Sequence, residues 1–379
     1  MKACEEKFKR HKNFTVVDVF SGAGGLSLGF KMAGFKIAVA VDKDEDVAQT
    51  YTYNNPEVKF LLRSVEETDA DDILDATEDK GFNSIDVLVG GPPCQGFSSA
   101  NRRTNGADNP ESKCLWEFMR LLEELRPTAF LMENVIGIRS IDKGLVLKEI
   151  IGKAKKLGYK PKCEVLNAAE FGVPQYRRRN FIFGNLLGRE YAPVLIRDPP
   201  LVSVREAMND LPFLPDGGGG AEVTNYEVQP QTRYQKLMRR GSKKLYNHIT
   251  TKSGKRDKKV IERFKWIPQG ERLRNTWPKL PKELKDGFNC IKNIHNNIYR
   301  RLSWEAPAPT IVHVRKAVLI HPLQNRLLSV REAARLQSFL DRYRFFGGIT
   351  KEYQQVADAV PPLLAKAVAE NMLSWTVNN

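Results

Sequence analysis

The chain has 379 residues, 41% of them hydrophobic and 9% aromatic, which is enough for two packed domains and far from the composition of disordered chains. No apolar run approaches the roughly 20 residues that cross a bilayer, residues 1–12 lack the apolar stretch of a secretory signal, and five widely spaced cysteines form no CxxC pair. These features exclude a membrane span, a disulfide framework and a structural zinc site, and lead us to expect a soluble, cytoplasmic protein that makes no membrane contact and holds no metal.

The formal charge of +15 is unevenly spread. Residues 1–230 carry 30 Lys+Arg against 34 Asp+Glu, residues 231–300 carry 20 against 5, and residues 301–379 carry 10 against 6. A basic block is often only a solvated face. Placed between two apolar, motif-bearing regions, this one reads as a surface for a polyanion.

In chain order, a β-branched run at 14–20 predicts a buried strand that stops at Ser-Gly-Ala-Gly-Gly, a tight turn into a helix. Similar runs at 36–41, 85–89 and 129–132 alternate with helical segments such as 115–125. That alternation predicts a mostly parallel, doubly wound α/β sheet. Asp216 and the glycines at 217–220 read as a flexible loop of a second domain that starts near residue 198. Ser329-Val-Arg-Glu332 has capping-box form and predicts a helix through Phe339, and Val360-Pro-Pro-Leu opens a last helix.

Four motifs carry chemistry. The glycines after the first strand let the backbone approach a nucleotide-like ligand, and Asp42, just past the second strand, is placed to accept from ribose hydroxyls. On these signals alone an AdoMet site, a dinucleotide site and a ligand-free turn are equally served. The second motif, Gly-Gly-Pro-Pro-Cys94-Gln, puts a thiol just past the carboxyl end of a buried strand, where such sheets bind ligands; Pro92 and Pro93 fix its direction. The third ends a strand with Glu133-Asn-Val. The fourth, Gln175-Tyr-Arg177-Arg-Arg179, sets two arginines at alternate positions, on one side of an extended segment.

Together and in this order, these motifs resemble those of the DNA (cytosine-5) methyltransferase family. The resemblance extends to Arg300-Arg-Leu-Ser, Pro309-Thr-Ile, Arg331-Glu-Ala-Ala-Arg-Leu-Gln-Ser-Phe and Val356-Ala-Asp-Ala-Val-Pro-Pro, and leaves out only about residues 200–300. It implies a Rossmann-like catalytic domain of residues 1–197 plus 351–379 and a smaller DNA-recognition domain of residues 198–350. It implies S-adenosylmethionine as cofactor, with Phe20, Ser21, Gly22, Gly24, Gly25, Asp42, Leu115 and Ala359 around it. It also implies the chemistry: Cys94 adds to carbon 6 of a cytosine flipped out of duplex DNA, Glu133 offsets the charge on the ring, and Arg179, supported by Arg177, holds O2.

This chain departs from the family at Asp42, where Glu is usual, at Ser64, where Asp is expected near the adenine, and at Ala357-Asp358, where Gly-Asn is more usual. The segment 98–110 is expected to close over the flipped base. Lys243, Lys244, Lys255, Arg256, Lys258 and Lys259 are expected to meet phosphates, with Arg263, Arg272, Arg274 and Asn275 as candidates to read bases. A monomer bound to double-stranded DNA in the nucleoid, serving a restriction-modification system whose endonuclease acts separately, completes the expectation. An RNA cytosine methyltransferase, a non-catalytic DNA-binding regulator and a dinucleotide oxidoreductase are the rival readings. The basic central region, the presence of Cys94, Glu133 and the arginines, and Ser27 in place of a third glycine weigh against them in turn.

Overall fold

The protein's structure, a computed structural model, is described over residues 14–93, 110–189, 201–223, 225–253, 259–285 and 298–377, with backbone alone for 110–112, 223 and 374–377. The chain divides into two compact units. The first comprises Met1–Phe171, Arg178–Asp198 and Val360–Asn379, and the second Gly172–Arg177 and Pro199–Ala359. The sequence-expected return at residue 351 thus falls at 360 instead, because the helix Ile349–Asp358 belongs to the second unit, and the short segment 172–177 crosses to that unit as well.

In the first unit, the strands are β1 (Thr15–Val19), β2 (Lys36–Asp42), β3 (Lys59–Leu62), β4 (Val87–Gly90), β5 (Ala129–Val135), β6 (Lys160–Asn167) and, after the two-residue β7 (Gln175–Tyr176) of the second unit, β8 (Arg178–Asn185). The sheet order is β3-β2-β1-β4-β5-β8-β6. Strands β3 to β5 pair in parallel, whereas β8 runs antiparallel to both β5 and β6. The chain therefore builds outward from β1 to β3, then reverses to the other side of β1 with β4. Such a reversal opens a crevice at the carboxyl ends of the strands. Helices α1 (Gly25–Met32), α2 (Glu45–Asn54), α3 (Ala70–Glu78), α4 (Pro110–Leu125) and α5 (Leu145–Lys156) connect the strands. β1 is buried at every position, as β-branched residues in a central parallel strand should be.

The last helix, Pro362–Val377, packs on α1. At Gly29 a Cβ would lie 2.4 Å from Ala365 Cβ and 2.7 Å from the Pro362 carbonyl oxygen, so only glycine permits this approach. A second feature lies under the β1 turn. Asp18 is fully buried, and its Oδ2 accepts from Ser27 Oγ at 2.6 Å, which in turn accepts from Tyr51 at 2.6 Å. Its Oδ1 meets no hydrogen-bond partner. Burial, opposed only in part by Ser27, pushes the Asp18 carboxyl up to about 7.

The second unit includes α6 (Val204–Met208), β9 (Gly219–Val223), α7 (Arg233–Met238), β10 (Leu245–Ile249), α8 (Lys259–Lys265), β11 (Arg300–Arg301), β12 (Ala308–Pro309), β13 (Leu319–Ile320), α9 (Val330–Leu336) and α10 (Ile349–Asp358). Ser329 and Glu332 form the expected capping box of α9, but the helix ends three residues before Phe339 because Ser338 turns left-handed. The tetraglycine is not a free loop. Gly219 and Gly220 begin β9, paired antiparallel with β10, and a Cβ on Gly219 would fall 2.0 Å from the His248 carbonyl oxygen.

Two outcomes test this packing. Gly29→Ala gains about 1 kcal/mol of helix propensity, but it drives a methyl into backbone that cannot yield, so urea midpoints should report a net loss of about 1–2 kcal/mol; unchanged stability would contradict the close approach. For Asp18, the folded carboxyl keeps its proton to about pH 7 while the unfolded one releases it near its ordinary value of 3.8. Stability is therefore lost as pH rises between those values. Asp18→Asn removes the titration, so its stability relative to the parent should improve from pH 5 to pH 8 by on the order of 2 kcal/mol, read from thermal melts; a pH-independent difference would contradict it.

Candidate active site

The turn after β1 is built from left-handed residues. Phe20, Gly22 and Gly24 have φ of 56°, 52° and 83°, and two of the three are glycines, which take this conformation without the strain a side chain brings. Three hydrogen bonds fix it. Ser21 N–H donates to the Val41 carbonyl at 3.1 Å, Gly24 N–H to the Ser21 carbonyl at 3.0 Å, and Gly22 N–H to Asp42 Oδ2 at 2.9 Å. Asp42 Oδ1 accepts from Asp44 N–H at 3.1 Å. The Asp42 carboxylate thus joins the ends of β1 and β2, and its two oxygens keep lone pairs for further donors. Its pKa is raised by burial, which these two backbone bonds partly offset.

The turn also has unused capacity. Among the described residues, Ser21 Oγ is buried without a hydrogen-bond partner and nothing lies within 4 Å of a Cβ placed on Gly22. A ligand with hydroxyls and charged groups would find a donor, an acceptor and open space here. Leu115, expected beside such a ligand, is fully buried in the apolar core of the sheet. Ala359 caps α10 in the second unit, where its carbonyl oxygen accepts from Arg177.

At the ends of β4 and β5 the other motifs meet. Cys94 lies outside the described residues, but the backbone leading to it is held: Asn134 Nδ2 donates to the Pro92 carbonyl at 3.1 Å, and Val135 N–H orients Asn134 through Oδ1 at 2.9 Å. Glu133 carries its carboxylate over the same segment, 3.4 Å from where a Cβ on Gly91 would be. Arg179 Nε sits 3.1 Å from Glu133 Oε1, and both side chains are largely buried. In the antiparallel register Val135 faces Arg179 and Glu133 faces Phe181, so Glu133 and Arg179 are diagonal neighbours on one face. This gives a carboxylate and a guanidinium side by side over the segment that leads to the thiol.

Arg177 does not share that environment. It is buried in the second unit, with its guanidinium donating to the carbonyls of Ile311 at 3.2 Å, Ala357 at 3.0 Å and Ala359 at 3.1 Å. Arg177 and Arg179 are expected on one side of an extended segment; the chain changes units between them, and Arg177 takes its partners within the second unit. Among the expected phosphate contacts, Lys243 is exposed, Lys244 lies 3.6 Å from Glu222 and Lys259 opens α8; Lys255, Arg256 and Lys258, like all of 98–110 except Pro110, lie outside the described residues. Of the base-reading candidates, Arg263 is buried and bound to the Leu284 carbonyl, and Asn275 donates to Glu271. Sequence reasoning missed the Asn134 tie and the Asp18–Ser27–Tyr51 chain. A serine on a helix face otherwise buried was the available signal for the latter.

The family described as C-5 cytosine-specific DNA methylase matches residues 14–374. The chain is 36% identical to the Type II methyltransferase M.DdeI of Desulfomicrobium norvegicum, over 96% of this chain and 89% of that protein. It is 33% identical to the Type II methyltransferase M.AgeI of Thalassovita gelatinovora, over 94% and 98%. A solved structure of a DNA modification methyltransferase encoded within an E. coli prophage superposes with a TM-score of 0.77 at 25% identity, over 95% of this chain and 99% of that one. With the doubly wound sheet and the motif residues at its strand ends, these matches establish that the chain belongs to the C-5 cytosine-specific DNA methylase family and is a DNA (cytosine-5)-methyltransferase, an enzyme class that takes its methyl group from S-adenosylmethionine.

Proposed function

We propose that this enzyme methylates a cytosine flipped out of a specific duplex sequence, through a covalent bond between Cys94 and carbon 6 of the ring. The Glu133–Arg179 pair over the segment that leads to Cys94 carries the reading.

S-adenosylmethionine supplies an electrophilic methyl group. The β1 turn would hold it: Asp42 accepts from the ribose hydroxyls with the lone pairs its backbone bonds leave free, and Ser21 Oγ and the turn's backbone contact the amino-acid end. Carbon 5 of the free base is too poor a nucleophile to attack the methyl sulfonium directly. The Cys94 thiolate adds to carbon 6, and the electron pair of the double bond becomes available at carbon 5 while negative charge develops toward N3 and O2. Glu133, bearing a proton, donates to N3 and accepts from the exocyclic amine; Arg179 donates to O2. The 3.1 Å contact places the Arg179 guanidinium beside Glu133, where it can turn to O2 of the entering base. Once carbon 5 is methylated, its proton leaves to a base and Cys94 is expelled as thiolate. Arg177 acts as a positioning residue, tying the carbonyls on either side of Asp358.

The base must leave the helix to reach such a site, at a cost of a few kcal/mol of stacking and pairing. Lys243, Lys244, Lys255, Arg256, Lys258 and Lys259 supply phosphate contacts, and the enzyme acts as a monomer. Its relatives named Type II methyltransferases support a place in a restriction-modification system with a separate endonuclease.

Cys94→Ser should abolish methyl incorporation into duplex DNA while leaving S-adenosylmethionine affinity within a few-fold, measured by calorimetry; retained turnover would end this mechanism. Glu133→Gln should lower kcat by about 10²–10³-fold with little change in DNA affinity. A decrease in affinity alone would make Glu133 a binding group.

A further inference from the structure

Arg300 and Arg301 are adjacent in sequence and point opposite ways, as alternate residues of an extended segment must. Arg301 is buried and spends its guanidinium on the protein: Nε donates to the Ile267 carbonyl at 2.6 Å, Nη1 to those of His321 and Gln324 at 2.8 and 2.9 Å, and Nη2 to the Phe264 carbonyl and Asn325 Oδ1 at 2.7 and 2.6 Å. Arg300 makes no such bond. It is half-buried, and among the described residues its Nε, sealed from water, has no hydrogen-bond partner.

Directly opposite Arg300 stands another arginine. Arg272 and Arg300 form an isolated antiparallel bridge. The flanking residues exchange the hydrogen bonds, Leu273 N–H to the Tyr299 carbonyl at 2.9 Å and Arg301 N–H to the Glu271 carbonyl at 3.0 Å, so 272 and 300 are a non-hydrogen-bonded pair. In that geometry the two Cα atoms lie roughly 4.5 Å apart and the side chains are at their closest, on one face. Like charges so placed repel. The Arg300 pKa is lowered by burial first and by Arg272 second, with Glu271 opposing more weakly. Glu271 itself lies on the other face of its segment and accepts from Asn275. Arg300 is also fixed from its other side, where its N–H donates to the Val318 carbonyl at 3.2 Å. Two rigidly mounted, repelling guanidiniums, one with a buried unmet donor, are stable together when an anion bridges them.

We propose that Arg272 and Arg300 together bind one phosphodiester of the DNA backbone, each guanidinium taking a non-bridging oxygen, and so set the register of the recognition unit on the duplex. The proposal rests on the reading that the chain acts on duplex DNA, and it makes Arg272 a phosphate contact, not a base reader.

Arg272→Gln and Arg300→Gln should each weaken duplex binding about tenfold, equally on the methylated sequence and on unrelated DNA, and should reduce the slope of log affinity against log salt by about 1. The double variant should lose little more than either single one, since both serve one anion. Arg300→Lys should keep most of the slope. A scan of single uncharged methylphosphonates along the duplex, run with unsubstituted enzyme, avoids any folding defect. It should find one phosphate whose neutralisation costs unsubstituted enzyme about tenfold and the double variant nothing. Unchanged affinity and slope, a loss confined to one sequence, or no phosphate with that pattern would overturn the proposal. Failure of the parent reading would look different: the unsubstituted enzyme would neither bind nor methylate duplex DNA.

Discussion

The proposed site rests on one ion pair across the antiparallel β5–β8 junction of the sheet. In the parallel part of the sheet four strands present the motif residues at their carboxyl ends: the glycine turn after β1, Asp42 on β2, the prolines after β4 and Glu133 near the end of β5. A further parallel strand would begin at the far edge. Because β8 runs antiparallel to β5, its first residues lie at that same carboxyl end, and Arg179 meets Glu133 there at 3.1 Å. Reversing one strand brings a cation to a crevice that the other strands line with carboxylates and backbone groups.

The parts of the fold that follow periodicity are legible in the sequence. The β-branched run at 14–20, the glycines after it and the capping box at Ser329 each state a local preference that the packing agrees with. Arrangements that depend on partners distant in sequence were not. Arg177 looks like the twin of Arg179 in a strand pattern, and only the passage of the chain between units sends its guanidinium to Ile311, Ala357 and Ala359. Leu115 is expected beside the cofactor, and its burial in the sheet's apolar core is a packing fact that sequence does not give. The tetraglycine reads as a loop until the nearness of His248 explains why no side chain fits at Gly219.

Charge is the property that sequence overstates most. The second unit is rich in arginine, but much of it faces inward. Arg326 makes a two-pronged pair with Glu332, Arg335 lies between Asp210 and Asp341, and Arg331 and Arg301 are bound to carbonyl oxygens. Removing one partner of such buried pairs strands a charge, so these residues hold the unit's shape and are withheld from DNA. What remains for a polyanion is the smaller set whose guanidinium or ammonium groups are not so engaged, and a net charge of +15 does not identify it. Pairing register and hydrogen-bond satisfaction do.

The most direct test of the central claim is to trap the enzyme on its substrate. Carbon 5 of 5-fluorocytosine cannot release its substituent as a proton, so once methylated it should leave the protein bonded to carbon 6. Mass spectrometry of enzyme incubated with S-adenosylmethionine and a duplex carrying 5-fluorocytosine at the target should find one DNA adduct per chain, on the peptide containing Cys94. An adduct on another residue, or no adduct from enzyme that methylates ordinary DNA, would contradict the account.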